Sequence, residues 1–464
     1  MPSPLRIAIV GSGPAGFYAA EQLLSARDVD ARVDMFERLP VPWGLVRFGV
    51  APDHPKIKAV TRRYEKTARL DGFRFFGNVE VGRDVNVEEL KAHYHAVVYA
   101  FGAAGDRKLG IPGEELPGSH SSTEFVAWYN GHPDYCDHEF DLTARTAVVV
   151  GNGNVALDVA RMLALPRETL AQTDVADHAL EALAASSVEE VVVLGRRGPA
   201  QAAFTTPELI ELSELADADV IVDPGDMELD DASARMVEDA DAQVKKKIEV
   251  LHGYAASEPH GHERRIVLRF YASPLEIVGA ERVEGVRVGR TELVEQEDGS
   301  LRAVITEAEE TIPAQLVFRS VGYRGVPIEG VPFDERSATI PNDHGRVLDG
   351  PGGAQRPGEY VSGWIKRGPS GIIGTNKKDS QDTVDSLLAD ATAGKLPQPA
   401  VEDPDAIEAL LTERKPDHVT YDHWQAIDEA ERSAGEPHGR PRVKLVRHEH
   451  LLDAARGADA LARD

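Results

Sequence analysis

Short blocks of consecutive apolar residues recur along the chain, among them Ile7-Ala8-Ile9-Val10, Ala96-Val97-Val98-Tyr99-Ala100-Phe101, Ala147-Val148-Val149-Val150 and Val191-Val192-Val193-Leu194. Blocks of this length, bounded by glycine, read as buried strands rather than helices. Two of them run straight into a glycine turn and then into a stretch of helical character. Val10 leads into Gly11-Ser12-Gly13-Pro14-Ala15-Gly16, and Val150 into Gly151-Asn152-Gly153-Asn154-Val155-Ala156. The repeated order of strand, turn and helix predicts an α/β fold.

A glycine turn between a strand and a helix brings backbone N–H groups and the positive end of the helix dipole to one place, which is how a pyrophosphate is held. The residues beyond the two turns differ. Glu37 closes the segment Val33–Glu37, about 20 residues beyond the first turn, where an acid accepts hydrogen bonds from a ribose 2′-hydroxyl. The strand after the second turn, Glu190–Leu194, ends in Gly195-Arg196-Arg197, and paired guanidinium groups suit a 2′-phosphate. The first turn therefore suits FAD or NAD and the second NADPH. One such fingerprint is weak, because glycine turns also serve packing. Two of them, each with its own ribose-reading residue, point to a chain that passes a hydride between two dinucleotides.

The apolar block at Ala96–Phe101 stops at Gly102, and a similar strand-to-glycine unit recurs from Ala314 to Gly322. These predict crossings between a first domain, 1–104 and 325–464, and a second one, 105–324, inserted into it. Within 1–104 the expected order is strand, helix, strand, a Pro/Gly/Trp loop, a basic helix over 56–69 and short strands. The inserted domain holds the second turn, a helical excursion at 165–187 and a β-rich stretch from 249 to 310. Gly363 to Asn376 is too glycine-rich for the interior of an element. Thr375 or Asn376 is expected to cap a helix running through Leu388, whose N-terminus can stabilise the charge of a reduced flavin.

Composition narrows the function further. With 464 residues, 42% hydrophobic and 28% charged, two or three soluble domains are expected. No stretch approaches the ~18 apolar residues of a membrane span, so the expectation is a cytoplasmic protein with no membrane partner. Cys136 is the only cysteine, which excludes a dithiol centre and an internal iron–sulfur cluster, and no metal centre is expected. Electrons reaching a flavin here must leave for an acceptor outside the chain. A net charge of −27 argues against nucleic acid. The charge is uneven, however. Residues 214–241, including Asp219, Asp226, Asp230 and Asp239, form an acidic stretch read as a solvated face, whereas Lys56, Lys58, Arg62, Arg63, Lys66 and Arg69 make a basic patch.

Longer blocks extend these features: IVGSGPAG at 9–16, PWGLVRFGVAPDHPKIK at 42–58, RFFGNV at 74–79, GNGNVALDVAR at 151–161, GRRGPAQAAFT at 195–205, RSVGYRG at 319–325 and GWIKRGPSGIIGTNKKD at 363–379. In them the chain resembles the adrenodoxin-reductase-type NADPH–ferredoxin reductases, a group within the glutathione-reductase-like flavoproteins that includes actinobacterial members. The resemblance implies two Rossmann-like three-layer dinucleotide-binding domains, with the NADP domain inserted into the FAD domain. It assigns FAD to Gly11, Gly13, Ala15, Gly16, Glu37, Leu45, Val81, Trp364, Gly371, Ile372 and Ile373. NADPH falls to Arg107, Asn152, Gly153, Asn154, Arg196, Arg197, Glu208 and Gly371, and His54 with Glu211 forms a catalytic pair near flavin and nicotinamide.

The implied activity is electron transport, with a hydride passing from NADPH to FAD and single electrons then going to a ferredoxin or similar iron–sulfur protein. A monomer is expected. An acidic ferredoxin would have to dock on local basic residues against the net charge. Competing readings are a flavin-dependent NADPH monooxygenase and an electron-transfer subunit of a larger complex. A disulfide reductase is disfavoured by the lone cysteine.

Overall fold

The computed structural model describes residues 4–461. The chain divides into two compact units, Met1–Gly105 with Tyr323–Asp464, and Asp106–Gly322.

The first unit is built on a seven-stranded sheet in the order Asn342–Asp343, Arg346–Leu348, Gln355–Val361, Ala96–Tyr99, Leu5–Val10, Ala31–Phe36 and Phe73–Phe76. The last five strands run parallel. A parallel sheet is covered on both faces, and this is why its central strands are apolar without alternation. Ile7, Ile9, Phe17, Leu23, Tyr64 and Trp424 belong to the core on one face; Ala8, Val10, Phe36, Val97, Tyr99 and Ile365 belong to the core on the other.

The second unit carries a six-stranded parallel sheet in the order Ser119–Ser121, Leu316–Arg319, Thr146–Val150, Glu190–Leu194, Arg264–Arg269 and Ala218–Val222. The unit also has a separate antiparallel sheet, made of Ala272–Val278, Gly285–Glu295 and Leu301–Pro313. In each unit the strand that feeds a glycine turn lies inside its sheet beside the next strand in sequence. Val10 is in register with Phe36, and Val150 with Leu194. Both turns therefore open at the C-terminal ends of parallel strands, beside the residue expected to read the ribose.

Several local expectations are corrected. The basic helix over 56–69 is two pieces, Pro55–Lys58 and Thr61–Ala68; only the second buries side chains, Tyr64, Thr67 and Ala68. The excursion at 165–187 is helical as expected, in two pieces, Arg167–Leu170 and Asp177–Ala184. The stretch from 249 begins as helix, because Asp241 caps Ala242–Ala256 by accepting from Gln243 and Val244 N–H, and Lys247, Ile248 and Leu251 supply a buried stripe. Strand begins only at Arg264.

The helix at Thr375–Thr392 outruns Leu388, and its N-cap is Gly374 with no side-chain cap; Thr375 Oγ1 instead accepts from Ile372 N–H at 3.2 Å. The acidic stretch is not wholly solvated either. Asp219 is buried and accepts from His260, Gly261 and His262 N–H, while buried Asp226 accepts from Phe270 N–H and pairs with Arg290.

Candidate cofactor sites

Gly11 leaves its strand at a φ of 104°. A Cβ on Gly16 would fall 2.1 Å from the Gly11 carbonyl oxygen, so the helix Pro14–Leu24 reaches the turn only because glycine is there. At Gly13, the N-cap, a Cβ would have nothing within 4 Å, and no side chain caps the helix. Open space beside an uncapped helix N-terminus is what a pyrophosphate requires.

Gly11 N–H donates to the Phe36 carbonyl at 2.8 Å, which brings Glu37 to the turn. Its Oε2 accepts from Ser12 Oγ at 2.6 Å and from Ser12 N–H at 3.2 Å, and its Oε1 from Leu39 N–H at 3.0 Å. A carboxylate has about four acceptor positions, so the side chain is fixed with capacity left for a ribose hydroxyl. The fit to the adenosine half of FAD is chemical as well as steric.

Other expected FAD residues gather around this turn. Trp43 N–H donates to the Ser12 carbonyl at 3.0 Å, which places Leu45, first residue of the short helix Leu45–Phe48, beside it. Gly363 packs on the helix start, where an added Cβ would lie 2.6 Å from Ala15 Cβ, and so seats Trp364 there. Trp364 Nε1 donates to the Ser370 carbonyl at 3.2 Å. Gly371, at a φ of 78°, and Ile372 and Ile373 form the loop before Thr375–Thr392, and Ile372 is 62% exposed. Val81 is buried in the opposite core with Phe36, and Val79 N–H ties its segment to the Glu37 carbonyl at 2.9 Å. Sequence reasoning missed Asp379, whose Oδ2 accepts from Gly363 N–H at 2.6 Å and holds the Trp364 turn.

The second turn repeats the design. Gly151 has a φ of 129°, and a Cβ there would lie 2.1 Å from the Ser320 carbonyl oxygen. Gly153 is the N-cap of Asn154–Ala164, again with open space and no side-chain cap. Asn152 O accepts from Ala203 and Phe204 N–H, and Asn154 Oδ1 from Thr205 N–H at 2.8 Å, which fixes the loop after the arginines. Gly151 N–H donates to the Leu194 carbonyl at 2.9 Å and so brings in the strand end that carries Arg196 and Arg197.

Both arginines are exposed, and neither guanidinium pairs with a carboxylate among the described residues. Their backbone is nevertheless anchored: Thr291 Oγ1 donates to the Arg196 carbonyl at 2.8 Å and Tyr271 N–H to the Arg197 carbonyl at 3.1 Å. Two exposed cations on a fixed loop suit a dianionic phosphate. Arg107 is exposed too, with its N–H on the Gly322 carbonyl at 3.0 Å.

Glu208 and Glu211 share the helix Thr206–Glu211. Arg161, 3% exposed, places Nη1 at 3.7 Å from Glu208 and 3.8 Å from Glu211, while its Nη2 donates to Asp158 at 2.7 Å. Asp158 and Arg161 lie within the block at 151–161, where only their helical spacing hinted at a pair. His54 belongs to the other unit, where it is buried and precedes Pro55–Lys58 with its N–H on the Ala51 carbonyl at 3.1 Å. No helix among the described residues is long and apolar enough to cross a membrane.

A family model described as pyridine nucleotide-disulphide oxidoreductase matches residues 5–193. The NADPH-ferredoxin reductase FprA of Mycobacterium tuberculosis is 54% identical over 458 residues, covering 97% of this chain and 98% of the relative. The mitochondrial NADPH:adrenodoxin oxidoreductase of Salvelinus fontinalis is 43% identical, covering 97% of this chain and 91% of that protein. The solved structure of M. tuberculosis FprA in complex with NADPH matches with a TM-score of 0.92 at 52% identity, over 98% of this chain and 100% of that one.

Proposed function

We infer the function from one premise: the chain belongs to the family of NADPH–ferredoxin reductases, among the pyridine nucleotide-disulphide oxidoreductases. It is an FAD-dependent ferredoxin–NADP(+) reductase, an oxidoreductase that takes electrons from NADPH and delivers them to an iron–sulfur protein. The observation that carries this reading is the presence of two dinucleotide turns with opposite ribose chemistry, Glu37 at one and Arg196 with Arg197 at the other, in a chain 54% identical to a named NADPH–ferredoxin reductase. When bound, FAD supplies the conversion of a two-electron donor into a one-electron supply.

The residues divide the remaining work. Gly11, Gly13 and Gly16 clear the FAD pyrophosphate path, Glu37 accepts from the ribose, and Leu45, Val81, Trp364 and Gly371 to Ile373 line the rest of the cofactor. Met1–Gly105 with Tyr323–Asp464 is the FAD domain in this reading, and Asp106–Gly322 the NADP domain. In the latter, Arg107, Asn152, Gly153, Asn154, Arg196, Arg197 and Glu208 hold NADPH. His54 and Glu211 are assigned to the hydride step, where an imidazole can position the nicotinamide or move a proton near neutral pH. The enzyme acts as a cytoplasmic monomer, without a membrane or nucleic-acid partner.

The test is anaerobic. Purified protein carrying FAD is mixed with NADPH and a purified acidic ferredoxin, and the visible bands of both are followed. NADPH-dependent ferredoxin reduction is expected. Flavin bleaching that never reaches the ferredoxin overturns the assignment.

A further inference from the structure

The segment from Thr420 to Leu445 supplies none of the cofactor contacts above, yet it converges on the turn behind the first phosphate loop. Trp43, in that turn, has a φ of 87°, a left-handed conformation that bulky residues avoid. Its buried indole N–H has no hydrogen-bond partner among the described residues. Neither feature is favoured locally, so neighbours must impose the conformation.

Those neighbours lie on the helix Tyr421–Gly435. Trp424, 1% exposed, meets Trp43 edge to face with ring centroids 4.8 Å apart. Fully buried Glu431 accepts from both terminal nitrogens of Arg47, at 2.9 and 2.5 Å, and the Arg47 guanidinium lies 5.5 Å from the centre of the Trp424 ring. Glu431 is held in turn by Arg442 at 3.0 Å and by Leu445 N–H at 2.9 Å. Burial opposes its ionisation, but Arg47 and Arg442 outweigh burial and keep the carboxyl below its ordinary range. On its other side the same turn supports the phosphate loop directly. Trp43 N–H donates to the Ser12 carbonyl, and a Cβ on Gly44 would lie 3.0 Å from Gly13 Cα.

We propose that the helix Tyr421–Gly435 is a clamp for FAD retention: Trp424 and the Arg47–Glu431 pair hold the Trp43–Gly44 turn in its strained form, and through it fix Ser12 and Gly13 for the cofactor's pyrophosphate. The proposal rests on the FAD reading of the first turn. These side chains are positioning residues and touch no reacting atom.

The experiment measures FAD release from the holoenzyme on dilution, by recovery of free-flavin fluorescence, alongside thermal unfolding. A parent protein without stoichiometric FAD refutes the cofactor reading itself, which separates that failure from failure of the clamp. The double variant Arg47→Met with Glu431→Met removes the pair without leaving a lone buried charge. It is expected to unfold near the parent temperature and to release FAD on the order of tenfold faster, equivalent to about 1.4 kcal/mol. Asp428→Asn perturbs the same helix through Arg442 and Arg432 but leaves Trp424 and the Arg47–Glu431 pair in place, and is expected to keep the parent release rate. Parental retention by the double variant, or equal loss in Asp428→Asn, overturns the proposal. Should the double variant not fold, Trp424→Phe reads the same rate: faster release supports the clamp and an unchanged rate overturns it.

Discussion

The 2′-phosphate role proposed for Arg196 and Arg197 rests on what they lack. Each is exposed, on a backbone pinned by Thr291 and Tyr271, with no described carboxylate to neutralise it. A charged hydrogen bond to phosphate contributes about 1.5–3 kcal/mol, so replacing both by alanine should lower the NADPH over NADH preference by about 100-fold or more. The measurement is kcat/KM with each nucleotide, and a variant that keeps parental preference rejects the 2′-phosphate role. Residues of this kind were legible in the sequence because their chemistry is local: a turn, then a strand end, then a ribose-reading side chain. Glu431 was not, since its partner Arg47 lies 384 residues away. Arg161 was hidden for a related reason, because only folding brings Glu208 and Glu211 to it.

At the level of elements, parallel strands were legible and helix ends were not. A strand buried on both faces must be apolar throughout, and that leaves an unmistakable run such as Ala147–Val150. The break between Pro55–Lys58 and Thr61–Ala68 leaves no such mark, and neither does the glycine N-cap at Gly374. The edge strand Ser119–Ser121 carries a testable consequence. His120 lies between Phe140 and Phe318, and burial, with Arg319 and His138 adding repulsion, pushes its imidazole down to about 4 from an ordinary value of 6.5. The folded chain thus resists a proton that the unfolded chain accepts, so this stability is complete above pH 6.5 and falls as the pH drops to about 4. The loss amounts to roughly 3 kcal/mol at most. Replacing His120 by Phe should flatten that part of the stability curve in denaturant melts. Parallel parent and variant curves from pH 6.5 to 4 count against it.

For the whole molecule the difficulty is electrostatic. A chain with a net charge of −27 and an acidic iron–sulfur protein, the partner expected from the sequence, would repel at long range. The first unit nevertheless exposes Lys56, Arg62 and Lys66, whereas Arg63 beside them is committed to Glu21 at 2.7 Å. Such a patch acts within a Debye length, about 10 Å at 0.1 M salt, so it governs the final approach rather than the distant encounter. Reversing Lys56, Arg62 and Lys66 to Glu changes the charge by −6, from −27 to −33. Reversing three exposed cations of the second unit, Arg167, Lys245 and Arg302, reaches the same −33 without touching the patch. If docking is local, the first variant should lose about tenfold or more in ferredoxin reduction rate at low salt, and the second much less. Reduction of a neutral quinone by NADPH should be unchanged in both, since that acceptor feels no field. Equal losses in the two variants make global repulsion the governing term, and no loss in the first moves the ferredoxin site elsewhere.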